Sequence, residues 1–477
     1  MGRDRAGFEV AFDLLQQGGG SKCFDDDGRL KRTGTVWTAR ADIITAVIGS
    51  GVLSLAWATA QLGWIAGPAA MVLFSFVACY TSSLLADCYR SGDPVLGERN
   101  ITYESAVRNI LDWKKEKLCI LAQYLQFLGV PIVYTIAAST SIMTIIESVC
   151  SHTKSDKSAC NMISDRRMII FGAIEIVLSQ VPNFDKLQGL TIVNFIMSLT
   201  YLIIGIVLSI KKVKENHKFK GSLIGSSIGT VTETQKIWNC FQALGAIAFT
   251  YSYFTNLIEI QDTIGSPPQE ARTMKKAMLV SAAVITLLYL LCGCMGYAAF
   301  GDSAPENLLA GFGFFNAYWL VEIANLAIVI RLACAYQMFA QPLFASVEKY
   351  ADRKFGGSRL VTQESKIPVR GFGKYTLFGF RLICRTIFVI VTTLISMLLP
   401  FFDDVIGLVG ALGFWPLMVY FPVEMCIVRM RIPRWSTKWI CLQILNGACL
   451  IISIAAAVGS IAGVVLHLKS RKVLGGA

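Results

Sequence analysis

An all-α, polytopic membrane protein is the fold class predicted by three features of this sequence. Of its 477 residues 54% are hydrophobic and only 16% charged, with a mean hydropathy of +0.55, whereas soluble domains average about 25% charged residues. The apolar residues fall into runs of about 20, the length at which a helix crosses a hydrocarbon layer roughly 30 Å thick. Eleven such runs are present, and the first is interrupted by Ile48-Gly49-Ser50-Gly51. The net charge of +12 comes from Lys and Arg in short loops between the runs, a pattern of membrane topology rather than of a nucleic-acid-binding face.

Span one covers 36–61. Its two glycines each cost roughly 1 kcal/mol of helix propensity, and lipid cannot satisfy the backbone groups that unwinding frees, so protein or a cavity must surround the break. A half-helix starting near Gly51 points free N–H groups and a positive dipole end into that cavity, which suits a carboxylate. The competing reading is that Gly49 and Gly51 only let a neighbouring helix approach. The polar stretch 1–35 has no apolar segment of signal-peptide type, which predicts a cytoplasmic N-terminal segment.

Span two is 64–89, followed by a polar run and a basic amphipathic segment, 101–117, suited to the membrane surface. Span three, about 118–147, carries Tyr124, Gln126, Tyr134 and Thr135, polar groups expected to line the bundle interior, and Pro131 is expected to kink it. The loop 148–167 holds Cys150 and Cys160, the one close cysteine pair within a loop, expected outside and oxidised. Most of the other cysteines lie in apolar runs as small buried hydrophobes, and no metal-ligand spacing occurs.

Span four, about 168–181, carries Glu175, and span five is about 188–210. A hydrophilic loop, 211–236, then separates two halves. Span six, about 237–261, contains Phe249-Thr250-Tyr251-Ser252-Tyr253-Phe254-Thr255, residues of poor helix propensity that predict a second break. Span seven is 274–300. Span eight, about 317–347, is unusually polar, with Glu322, Asn325, Arg331, Tyr336 and Gln337. A basic loop, 348–374, precedes span nine at about 375–399. Span ten, about 404–428, holds Trp415, Pro416, Pro422 and Glu424, and span eleven is about 440–467.

Spans one and six each open a run of five and each carry a candidate break. That spacing points to two inverted five-helix repeats with a binding site at their interface. The predicted organisation is a cytoplasmic segment 1–35, a first repeat 36–210, an extracellular loop 211–236, a second repeat 237–428, and 429–477 as a loop, an eleventh helix and a short extracellular tail. The distribution of Lys and Arg agrees with an inside N-terminus.

At the level of motifs the chain resembles the plant amino acid permeases, of the amino acid/auxin permease family within the amino acid-polyamine-organocation superfamily. The resembling segments include 43–57 (ITAVIGSGVLSLAW at its centre), 59–68 (TAQLGWIAGP), Cys88-Tyr89-Arg90-Ser91-Gly92-Asp93-Pro94, Leu257-Ile258-Glu259-Ile260-Gln261-Asp262-Thr263, 292–302 (CGCMGYAAFGD), and Phe414-Trp415-Pro416 with 420–425 (YFPVEM). The resemblance implies a leucine-transporter-like fold with one extra C-terminal helix, and proton-coupled symport of amino acids at the plasma membrane. No cofactor is implied beyond the co-transported proton; the partners are free amino acids, protons and the lipid bilayer. Three positions depart from the usual pattern: Asp42 and Arg331 each replace a His, and Ala246 replaces an Asp or Asn.

The substrate site is expected at Val47, Ile48, Gly49, Ser50, Gly51, Tyr124, Gln126, Tyr134, Phe249, Thr250, Tyr251 and Ser252. The carboxylate is assigned to the N–H groups around Ser50 and Gly51, and the ammonium to carbonyls near Val47, Phe249 and Tyr251. The aromatic and hydroxyl walls suit mainly neutral substrates. Asp42 leads the proton-coupling candidates, followed by Glu259 and Glu424, while Asp42 as a helix cap or ion-pair partner is the alternative. An amino acid-sensing receptor of the same fold is the competing function. An intramembrane enzyme has little support, because His152, His217 and His467 fall in loops or at a span end and no buried nucleophile–base pair is evident; an ion channel is disfavoured by the absence of an obvious repeated filter.

Overall fold

The computed structural model describes residues 32–93, 97–153, 164–181, 188–225, 232–252, 256–266, 268–312, 318–355, 364–369 and 373–474. The first helix, α1 (Val36–Val47), opens with a capping box in which Thr35 and Thr38 exchange side-chain-to-backbone hydrogen bonds. It stops at Ile48 and Gly49, and a 3₁₀ turn, Ser50–Ser54, leads into α2 (Leu55–Asp87). Inside α2, Gly63 has φ 84° and ψ 177°, a left-handed conformation that favours glycine. A side chain there would also meet the backbone of 223–225 at under 3 Å, so Gly63 turns the chain between what the sequence separates as spans one and two.

A two-stranded hairpin, β1 (Arg90–Ser91) and β2 (Glu98–Arg99), precedes the short amphipathic helix α3 (Tyr103–Ile110), capped by Thr102 and Ser105. Then follow α4 (Trp113–Thr153), α5 (Ser164–Ser179), α6 (Gln188–Asn216), α7 (Glu233–Thr250), the one-turn-and-a-half α8 (Leu257–Asp262) and α9 (Glu270–Phe300). After two 3₁₀ turns come α10 (Tyr318–Phe355), the hairpin β3 (Glu364–Val369) with β4 (Gly373–Phe378), and α11 (Gly379–Leu398). The sequence expectation of a loop to residue 374 is corrected: α10 runs further, and the β-forming Tyr375 and Thr376 pair in a strand before α11 begins. The last elements are α12 (Phe402–Gly413), a π-helical stretch Phe414–Tyr420, α13 (Phe421–Arg429) and α14 (Thr437–Leu474). Pro416 lies in the π stretch, and its carbonyl accepts from the N–H of Phe421 five residues on.

Among the described residues eight helical stretches are long and apolar enough to cross a membrane. Of the other predicted spans, span one is split at Ile48–Gly49 and runs on into span two, span six is divided between α7 and α8, and α5 has only 16 residues. The helices α4, α10 and α12–α13 are mostly buried, whereas α6, α11 and α14 present most of their surface outward. The outward faces of the helices carry large apolar side chains such as Val177 on α5, Ile192 on α6, Leu279 on α9 and Ile451 on α14, as a lipid-facing belt requires.

Small residues draw the inner helices together. A methyl group on Gly245 of α7 would stand 2.5 Å from the Gly407 carbonyl of α12, and one on Gly410 would overlap the Gly245 carbonyl, so the two backbones touch. At one end, Glu270 accepts from Arg90 at 2.6 Å and from Arg32 at 3.1 Å, while Tyr89 donates to Asp262 at 2.5 Å. Gly34 pairs with the backbone of Thr263 and Gly265. The segment ahead of α1 is thereby fastened to the segment after α8.

Candidate functional site

Both breaks meet in the interior. Gly51 lies against Thr250 and Phe249, the last residues of α7: a Cβ on Gly51 would be 2.5 Å from Thr250 Oγ1 and 3.0 Å from Thr250 Cα. Beside this contact is a cavity of about 30 Å³ lined by Ala46, Val47, Gly49, Gly51, Gln126, Val130, Tyr134, Phe249, Thr250, Ser252 and Phe339. Its volume equals roughly one water. A larger cavity of about 240 Å³, lined by Asp42, Thr45, Thr191, Asn256, Glu259 and Arg331 among others, shares only Ala46 and Phe339 with it. Phe339 stands between the two, edge-on to Tyr134 with ring centroids 5.9 Å apart.

Of the substrate residues expected from sequence, the structure brings Val47, Gly49, Gly51, Gln126, Tyr134, Phe249, Thr250 and Ser252 to the cavity wall. Ile48, Ser50 and Tyr251 are buried behind it. Tyr124 is corrected: it is 39% exposed on the outer face of α4, because a residue two positions from Gln126 points to the opposite side of a helix. Residues 253–255 lie outside the described residues. Gln126 is braced by donating to the Val409 carbonyl at 2.7 Å.

The carbonyls freed at the end of α1 have partners. Tyr289 donates to Val47 O at 2.9 Å, Tyr201 to Gly49 O at 2.9 Å, and Ser198 to Ile48 O at 3.2 Å. Arg331, buried, donates through Nη2 to Thr45 O at 3.1 Å and Ile48 O at 3.4 Å, and through Nε to Ser198 at 2.9 Å, leaving Nη1 without a partner. A guanidinium thus sits on the negative dipole end of α1. Val47 O, one of the carbonyls assigned to the substrate ammonium, already accepts from Tyr289, a contact from 242 residues away that no local signal announces. At the opposite side of the gap, the first N–H groups of the Ser50–Ser54 turn have no acceptor within their own turn.

Asp42 falls on the seventh residue of α1, within the larger cavity and away from the helix start that Thr35 caps. Glu259 lines the same cavity. Glu424 is instead held by Lys115 at 2.7 Å and Gln443 at 3.3 Å. Glu175 and Glu322 each join two helices, accepting from Gln337 at 2.6 Å and Ser148 at 2.8 Å. Ala246 is fully buried in α7. Cys150 is disulfide-bonded; Cys160 lies outside the described residues. No cluster of side chains able to hold a metal occurs among the described residues.

A family model described as transmembrane amino acid transporter protein matches residues 32–466. The chain belongs to this family. Within it, the relatives are plant amino acid permeases: amino acid permease 3 of Arabidopsis thaliana is 62% identical over 458 residues, covering 96% of each chain. Amino acid permease 2 of the same plant is 60% identical over 467 residues, covering 98% of this chain and 95% of the relative. The crystal structure of MhsT in complex with L-phenylalanine superposes with a TM-score of 0.53 at 11% identity, over 91% of this chain and all of that one. The permease therefore shares its fold with MhsT.

Proposed function

We propose that this permease is a proton-coupled symporter that imports a broad range of mainly neutral amino acids across the plasma membrane. The observation that carries the reading is the uncharged cavity where the two helix breaks meet: none of its eleven lining residues is an acid, a lysine, an arginine or a histidine. The first N–H groups of the Ser50–Ser54 turn, which have no acceptor within that turn, are the donors for a substrate carboxylate, with Gln126, Tyr134, Thr250 and Ser252 as neutral polar walls. Because the cavity is so small, substrate admission requires its wall to open, and Phe339 is the side chain that separates it from the larger cavity.

The architecture that fits this function has eleven crossings in two five-helix repeats plus α14, the N-terminus in the cytoplasm and the C-terminus outside. On that orientation the 240 Å³ cavity faces the cytoplasm, and Asp42 and Glu259 border the path of release. A proton moving inward through 100 mV contributes about 2.3 kcal/mol, and one pH unit about 1.4 kcal/mol, together enough for several-hundred-fold accumulation. Radiolabelled uptake and current in oocytes, across the neutral and charged amino acids at two external pH values, test the reading. Concentrative uptake with inward current, greater for alanine and glutamine than for lysine or arginine, is expected. Saturable binding without accumulation would instead establish the receptor.

A further inference from the structure

Away from the central cavity, α12 starts with two adjacent carboxylates that are both turned inward. Asp403 is 3% exposed and Asp404 1%. Asp404 accepts from Gln242 of α7 at 2.7 Å through Oδ1, and its Oδ2 lies 2.7 Å from Nδ1 of His467 on α14. His467 is half-exposed and stacked on Phe401, with ring centroids 4.7 Å apart. Asp403 has no hydrogen-bond partner on either oxygen. Glu306, in the segment between α9 and α10, faces the first backbone N–H groups of α12, at Phe402 and Asp403, while part of it stays open to water. The helices close tightly around the group: a side chain on Gly463 of α14 would overlap Asp404 Oδ1. Ser460, buried and also without a hydrogen-bond partner, lies one helical turn away against Gly407.

The titratable groups that act on Asp403 are Glu306 and Asp404, with His467 joined to both of those. The element α7 contributes the neutral Gln242, and among the described residues no lysine or arginine forms an ion pair with the cluster. His467 is the one side chain of the cluster able to carry a positive charge, and it pairs with Asp404. A second buried carboxylate, without donors and beside two others, is too costly to keep ionised, and one bound proton removes that cost. Crowding by protein, and after it the nearby Asp404 charge, raises the Glu306 pKa, which places a readily protonated carboxyl at the water-exposed edge.

We infer that Asp403, Asp404, Glu306 and His467 form the binding site of the co-transported proton, loaded from the extracellular side through Glu306 and His467. The inference rests on the symport reading above. Loading is a simple association, in which an external proton neutralises the Asp403 carboxylate and is later released. The cluster reaches the substrate through α7. Gln242 lies eight residues, about 12 Å of helix, from Thr250, and a Cβ on Gly410 of α12 would be 2.8 Å from the Phe249 nitrogen. A change in charge at the start of α12 therefore acts on a helix whose backbone touches the cavity wall.

The test measures L-alanine uptake and inward current, per permease at the cell surface, from external pH 5 to 8 for the parent, Asp403→Asn, Asp404→Asn and Glu306→Gln. Parent uptake at low alanine should fall by up to about tenfold per pH unit above the midpoint, whereas Asp403→Asn should vary by less than about twofold over the whole range, having no proton to lose. Glu306→Gln, on the water-exposed edge, removes a negative neighbour and should move the midpoint down by about one pH unit. Asp403→Asn or Asp404→Asn at parental surface amounts, with the parent's pH profile and charge-to-alanine ratio, would overturn the inference. If neither Asn variant reaches the surface, an unchanged midpoint in Glu306→Gln overturns it. A parent with alanine uptake but no pH dependence or current would refute proton symport itself, a result distinct from failure of the cluster.

Discussion

Substituting Gly51 by alanine tests whether the two breaks are in functional contact. The added methyl would meet Thr250 Oγ1 at 2.5 Å, Thr250 Cα at 3.0 Å and Phe249 Cδ1 at 3.1 Å. Thr250 Oγ1 is already committed to the Ala246 carbonyl at 2.8 Å, and Thr250 Cα is backbone, so the end of α7 must withdraw by several tenths of an ångström. Overpacking of this kind costs about 1–3 kcal/mol, or roughly 5- to 150-fold if the loss falls on the transport-competent arrangement. At Gly49 the nearest atom to an added methyl is Tyr134 Oη at 3.7 Å, and the backbone there, φ −117° and ψ −159°, is extended and open to any residue. Gly51→Ala should lower both thermal stability and surface-normalised uptake of every amino acid tested, while Gly49→Ala keeps parental stability. Uptake and a melting temperature for Gly51→Ala equal to the parent's would refute the contact as a functional element.

The remaining predictions concern the charge at the break and the orientation of the chain. Arg331→Gln withdraws charged donors from Thr45 O, Ile48 O and Ser198, hydrogen bonds worth about 1.5–3 kcal/mol. Surface-normalised uptake should drop about tenfold and recover in part in Arg331→Lys; parental uptake in the Gln variant would show that the guanidinium is dispensable. An impermeant maleimide added outside should label Cys150 only after reduction, as expected for an extracellular disulfide with Cys160; labelling without reductant would disprove the bond. Asn100, within the sequon Asn100-Ile101-Thr102, is fully buried and donates through Nδ2 to Cys88 O at 2.9 Å. Digestion with a glycosidase should leave the mass of the permease unchanged, and a glycan at Asn100 would reverse the proposed orientation.

Hydropathy and punctuation are local properties, and they made the class of fold and the position of both breaks legible. Gly49 and Gly51 mark the first break, and the aromatic and hydroxyl run after Ala248 marks the second, because each lowers helix propensity where it stands. Even the misplacement of Tyr124 was readable, since a helical wheel puts it opposite Gln126. What no local pattern could specify is which distant group meets which. The freed carbonyls of α1 are claimed by Ser198, Tyr201, Tyr289 and Arg331. The carboxylates at the start of α12 gain Glu306, about a hundred residues earlier, and His467, 63 residues later than Asp404. Glu424 resembles a proton carrier by sequence, and Lys115 makes it an ion pair. Apolar periodicity records only that a face is buried; the protonation and ligand chemistry of a buried polar group depend on the donors and charges beside it, and those are selected by tertiary packing.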